Sequence, residues 1–230
     1  MKFVTLFFLF ASLAHAQPEI ITAPVDHLYI PEGFDNNDSV EVVVTGTFPN
    51  ACYSRNIVEV TYNDALIDIH VTAIVPEKTR KCTDMIVPFK EVVALGTLQG
   101  GEYSIRVNYR SPVELSDTMK IQEATSNSVD EHIYADVDRV EKVAGNDYVL
   151  HGWRYSNCIE FGKVEVISNK KDTFSVLPVM KQVSDFCPMK MMPISFPVKL
   201  NASELKMNKP LVHVRTMDGK SFNSILNLAE

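Results

Sequence analysis

No run of like charge stands out in this 230-residue chain, and no Cys-x-x-Cys, Gly-x-Ser-x-Gly or His-Glu-x-x-His occurs in it. Amphipathic stretches longer than a turn or two of helix are missing too. Each absence excludes something. Without Cys-x-x-Cys, thiol redox chemistry has no ordinary carrier. Without His-Glu-x-x-His, the helical zinc-hydrolase site is gone. Without Gly-x-Ser-x-Gly, no strand-to-helix nucleophile turn is signalled. The net charge of −7 disfavours nucleic acid, because an acidic chain repels phosphate backbones. A hydrophobic content of 46% is that of a globular protein, so disorder is excluded as a general state.

What is present begins with a leader. Lys2 is the only charge in the first sixteen residues, an apolar stretch follows, and Ala14-His15-Ala16 places small residues where a signal peptidase reads. Residues 1–16 are expected to be a signal peptide cleaved after Ala16. Gln17 follows rather than Cys, so a lipid anchor is not indicated. The leader is too short for a membrane span, and no later segment is long and apolar enough for one. The mature protein is expected to be secreted or periplasmic.

The remainder fits two domains of about a hundred residues, and the sequence says how they relate. Asp26-His27-Leu28-Tyr29 aligns with Glu131-His132-Ile133-Tyr134. Gly46 and Cys52 align with Gly152 and Cys158, Val58-Glu59-Val60 with Val164-Glu165-Val166, and Cys82 and Pro88 with Cys187 and Pro193. Ile105 and Val107 align with Val212 and Val214, so all offsets fall between 105 and 107. A series this regular reads as two homologous modules. Four cysteines allow three pairings, and disulfides are expected outside the cytoplasm. If the modules fold alike, each closes its own bridge: Cys52 with Cys82, and Cys158 with Cys187.

The secondary structure reads as strand almost throughout. Val40, Val42 and Val44 alternate with Glu41, Val43 and Thr45. Ile67, Ile69 and Val71 alternate with Asp68, His70 and Thr72, a period of two with one wet face. Tyr103, Ile105 and Val107, Tyr148-Val149-Leu150, and the runs 173–177 and 211–214 read the same way. Turn signals such as Asp35-Asn36-Asn37-Asp38 and Gly145-Asn146-Asp147 separate them. Short helices are expected only at 90–95 and 202–206. The expectation is an all-β protein of two tandem immunoglobulin-like β-sandwich domains, each with one internal disulfide. Domain 1 spans 17–122, a small polar linker 123–129, and domain 2 spans 130–230.

The first module resembles the immunoglobulin-like modules of exported bacterial proteins. The likeness rests on Gly46-x-x-Pro49-x-x-Cys52, on Cys82 followed by Pro88-Phe89, and on Gly101-x-Tyr103-x-Ile105-x-Val107-Asn108. The second module departs from it, with Ile194 after Pro193 and Lys209-Pro210 in place of Gly-x-Tyr. The resemblance implies a fold and carries no activity.

Chemistry is sparse. No catalytic residue and no cofactor site is expected. His27 and His132 recur, each followed by an aliphatic residue and Tyr, and read as packed histidines at a strand start. Glu32, Asp35 and Asp38 read as a solvated acidic turn, although oxygen ligands of this kind could hold calcium. Asn37-Asp38-Ser39 and Asn201-Ala202-Ser203 are glycosylation sequons. Met180, Met189, Met191, Met192 and Met207 crowd one region. Thioethers suit Cu(I), so Met189, Met191 and Met192 give an alternative as an exported copper carrier, while packing in a core or interface is the plainer reading. A hydrolase with carboxylates brought together by folding has no signal of its own. The favoured expectation is a non-catalytic binding or structural protein. It would present the loops 32–39, 76–81 and 181–186 to a protein or cell-envelope partner.

Overall fold

The computed structural model describes residues 18–75, 81–128 and 132–228. The expected leader and most of the 76–81 loop lie outside these residues. Within them are sixteen strands, two single turns of 3₁₀ helix and no α-helix.

The first eight strands are β1 (Glu19–Thr22), β2 (Val25–Tyr29), β3 (Val40–Phe48), β4 (Ser54–Asn63), β5 (Leu66–Val75), β6 (Val87–Gly96), β7 (Gly101–Val107) and β8 (Leu115–Ile121). They make a three-stranded sheet, β2-β3-β6, facing a five-stranded one built on β5. One edge of β5 takes β4. The other is shared by β1 at its far end and, in parallel, by β7 at its start. Val40, Val42, Val44, Ile67, Ile69, Ile105 and Val107 point inward from both sheets and are fully buried. β-Branched side chains at period two suit such a pleated, half-buried surface.

The second eight repeat the plan: β9 (Ile133–Tyr134), β10 (Asp136–Ala144), β11 (Asp147–Arg154), β12 (Ile159–Ser168), β13 (Thr173–Gln182), β14 (Met192–Lys199), β15 (Leu211–Arg215) and β16 (Ser221–Ile225). β10-β11-β14 form the small sheet, and β13 is flanked by β12, β9 and a parallel β15. Antibody sandwiches are antiparallel throughout both sheets; the β5–β7 and β13–β15 pairs are the local difference. The disulfides are Cys52–Cys82 and Cys158–Cys187, one per module, as the repeat predicts.

The repeated glycines now have a cause. Gly46 faces Val25 in the β2–β3 ladder, and Gly152 faces Val137 in the β10–β11 ladder. Both edge strands bulge at the next residue, and the bulge brings backbone over the glycine. A Cβ on Gly46 would lie 2.2 Å from the Pro24 carbonyl oxygen, and one on Gly152 would lie 2.1 Å from that of Asp136. The same register corrects the histidine alignment. Val25 corresponds to Val137, so the counterpart of His27 is Arg139. His132 precedes β9, which occupies the place of β1. The two His-aliphatic-Tyr stretches are not equivalent positions.

Residues 90–95, expected as a short helix, lie inside β6. Lys, Glu, Ala and Leu favour helix weakly, but Phe89, Val93 and Leu95 alternate into the core and the ladder with β3 decides. Residues 202–204 form one 3₁₀ turn.

The modules lie side by side. Up to Met180, β13 has no wet face, and neither has β15. Phe174, Val176, Val212 and Val214 fill their own core, while Thr173, Ser175, Leu177, Val179, Leu211, His213 and Arg215 are buried on the opposite side. Leu177 and Val179 pack there with Tyr134 and Ile167 of their own module. The rest of that side meets the outer face of β2-β3 and the loop after β2, with Tyr29, Val43 and Leu211 in one cluster. The direction of the packing follows from its neighbours. Gly46 and Pro88, at the disulfide end of the first module, adjoin Lys209 and Ile225. These lie at the start of β13 and β15, away from Cys187. The two disulfide ends therefore point in opposite directions. The expected linker is held as well. Glu123 accepts from the Asn36 amide at 2.7 Å, and Ser126 O accepts from that of Asn37 at 2.7 Å. Val129 lies outside the described residues.

Candidate functional site

Two regions gather unusual side chains: the seam between the modules and the loops beside the disulfides. The seam absorbs the 32–39 loop, which the sequence reading offers as an exposed binding surface. Phe34 is 2% exposed; it belongs to the first module's core, and its ring also meets the second module. The Arg215 guanidinium carbon stands 4.5 Å over its ring, and the His213 ring meets it edge-on at 5.5 Å. Arg215 Nη2 also donates to Asp38 Oδ2 at 2.8 Å and to the Gly33 carbonyl at 2.6 Å. The acidic turn is thus an arm clamped by an arginine. Among the described residues no group of three His, Cys, Asp or Glu side chains could hold a metal ion.

Glu41 is the second centre of the seam. Its Oε1 accepts from Ser221 Oγ, from Asn223 Nδ2 at 2.8 Å, and lies 3.3 Å from His213 Nδ1. Burial raises the Glu41 carboxyl, but these three bonds outweigh it and hold it below the ordinary range. Asp172 behaves alike. Burial raises it, while hydrogen bonds from His27, Asn169 and Thr173 bring it down. Asp38 goes the other way, because burial outweighs Arg215. Tyr29, buried beside Asp172, is pushed up to about 12. Around Glu41 the carboxylate sits between the hydroxyl and the imidazole, so His213 does not reach Ser221. A nucleophilic site needs the imidazole in the middle.

Serine, histidine and carboxylate do stand in that order elsewhere. His151 Nδ1 is 2.8 Å from Ser195 Oγ, and its Nε2 is 2.9 Å from Glu141 Oε2. This row crosses the outer face of β14, β11 and β10, open to bulk water rather than walled by a cleft. His70 points to solvent from the wet face of β5, as expected.

The methionines do not converge. Met180 is in the second core, and Met207 packs against the seam. Met189 and Met191 are 86% and 55% exposed, so neither packs in the core. Met192 begins β14 and is half-buried.

Those two methionines belong to the loop that carries Cys187. Val183, Phe186, Met189 and Met191 all project from it, and Phe186 is 82% exposed. Cys158–Cys187, with a Cα–Cα distance of 5.6 Å, ties the loop to the start of β12. In the first module Met85 and Ile86 follow Cys82 and are also exposed. Ile86 overhangs an apolar groove of about 700 Å³ lined by Ile21, Phe48, Tyr53 and Val113.

Sequence reasoning marks the cysteines and the 181–186 stretch but misses the seam. The signal is present in the chain. Thr173-Phe-Ser-Val-Leu-Pro-Val-Met180 has no charge at either parity, the mark of a strand buried on both faces.

Comparison with family models finds the ORF11 beta-sandwich domain at residues 42–116. The match runs from β3 into β8 and takes in the first disulfide. No curated protein and no solved structure matches the chain. The first module is thereby similar to a family defined by its β-sandwich, and the second repeats its strand plan.

Proposed function

We propose that this is a non-catalytic binding protein, acting outside the cytoplasm, whose second module presents the 181–191 loop to a protein or cell-envelope partner. The observation that carries the reading is the pair Phe186 and Met189, 82% and 86% exposed on either side of the bonded Cys187. Large apolar side chains gathered on a loop cost solubility and mark contact surfaces. The disulfide lowers the entropy lost when such a loop is fixed by a partner. The seam supports the same reading, because it orients the loop on a firm base.

The test compares the wild-type protein with a Phe186→Ser, Met189→Ser variant, each immobilised and exposed to envelope and culture extracts. Saturable retention of one partner by the wild type, lost in the variant at unchanged melting temperature, is expected. Equal retention by both removes the loop from consideration.

A further inference from the structure

The outer face of β10-β11-β14 is the counterpart of a face that has an occupant. Gly46 with Val25 and Gly152 with Val137 place the two small sheets in register. Thr45 and His27 then correspond to His151 and Arg139. In the first module this face is covered by the second. In the second module it is open, and its residues differ in kind.

Trp153, the sole tryptophan of the chain, lies on it with 41% of its surface exposed. Its Nε1 donates to Asp138 Oδ2 at 2.9 Å, which fixes the indole from its polar edge and leaves part of the apolar body to solvent. Asp138 is the bulge residue of β10, so the bulge re-aims it toward the ring. One step along the face, Arg139, His151 and Ser195 stand side by side on three strands. His151 bridges Ser195 and Glu141, and Arg139 Nη2 is 3.9 Å from Glu141. Successive positions on one face are about 6.6 Å apart along a strand. A clamped aromatic plate therefore adjoins Ser195, His151 and Glu141, which are hydrogen-bonded to one another, and an exposed Arg139 beside them.

We propose that this face binds a neutral oligosaccharide, with Trp153 as the stacking plate and Arg139, Glu141, His151 and Ser195 as the hydrogen-bonding row. The C–H face of a pyranose carries partial positive charge and meets the negative face of an aromatic ring. Its hydroxyls both donate and accept, and so match a row of mixed chemistry. Asp136 lies opposite Trp153 in the ladder and Asp138 holds the indole, so acids flank the plate. That charge repels sulfated or uronic chains and selects neutral ones. This inference does not rest on the 181–191 loop.

Because Trp153 is the only tryptophan, indole fluorescence reports this site alone. The full chain is titrated with the hexaoses of cellulose, β-1,3-glucan, starch, chitin, xylan and mannan, and with heparin as the anionic comparison. A saturable change with at least one neutral hexaose is expected. Calorimetry with that sugar should show at least about tenfold weaker binding in Trp153→Ala. The Trp153→Phe variant, which keeps a plate, should fall between. No saturable change with any neutral hexaose overturns the inference. So does binding of heparin alone, or undiminished binding by a folded Trp153→Ala protein.

Discussion

At the scale of single residues, Asn108 does work no periodicity reveals. It is 1% exposed, has φ of 53°, and fills the gap on the edge of β5 between β1 and β7. Its backbone N–H donates to Ile69 O at 2.8 Å, its Oδ1 accepts from Val71 N–H at 2.9 Å, and its Nδ2 donates to Ala23 O at 3.1 Å. One side chain thus closes a ladder that two strands leave open. Alanine would strand a buried donor and a buried acceptor and keep a conformation that asparagine tolerates better. Asn108→Ala should cost about 2–4 kcal/mol, read from urea denaturation. A loss under about 0.5 kcal/mol would mean water replaces the amide.

At the scale of elements, the strands were legible where one face is wet. β5 alternates Ile67, Ile69 and Val71 with Asp68, His70 and Thr72, and both its type and its inward face follow from that. The repeat was also enough to choose among three disulfide pairings, because modules that fold alike close alike. What was not legible depended on neighbours far away in sequence. The 32–39 arm reads as a polar turn because its burial is supplied by Arg215 and His213. The 90–95 stretch reads as helix because its ladder partner lies fifty residues back, in β3. The two tethers also differ in setting. Cys52, Cys82 and Cys187 are all partly open, whereas Cys158 is 7% exposed beneath its loop, so only the second bridge has a buried sulfur. Access governs thiolate attack. Under mild reductant, Cys52 and Cys82 should be alkylated before Cys158 and Cys187, as followed by peptide mass spectrometry. The reverse order would show that local opening, rather than static exposure, controls reduction.

At the scale of the whole molecule, the seam joins two sandwiches into one unit. Heating should give a single cooperative transition at neutral pH. Phe34→Ala, which empties the place against Arg215 and His213 and also opens the first core, should cost about 3–5 kcal/mol and separate the transition into two, with the first module melting earlier. One undivided transition in that variant would assign the coupling to the remaining contacts. The seam has a pH dependence whose sign is set by Glu41 and Asp172. Both carboxyls are held below their ordinary range in the folded state. Their contribution is therefore complete above the unfolded value near pH 4 and is lost as pH falls through the folded one. Asp38, raised by burial, opposes this in part. Acid should weaken the wild-type seam more than that of Glu41→Gln, in calorimetry across that range.

The opposed disulfide ends bear on valency. Two binding modules on a free linker can both reach one surface, and the second contact then gains from effective concentration. Here the seam fixes the exposed loops at Ile86 and at Phe186 on opposite ends. Neither can assist the other on a single flat target, so avidity on one surface is ruled out by geometry. What the arrangement permits is a bridge, with one end on each of two bodies and a spacing set by the folded chain.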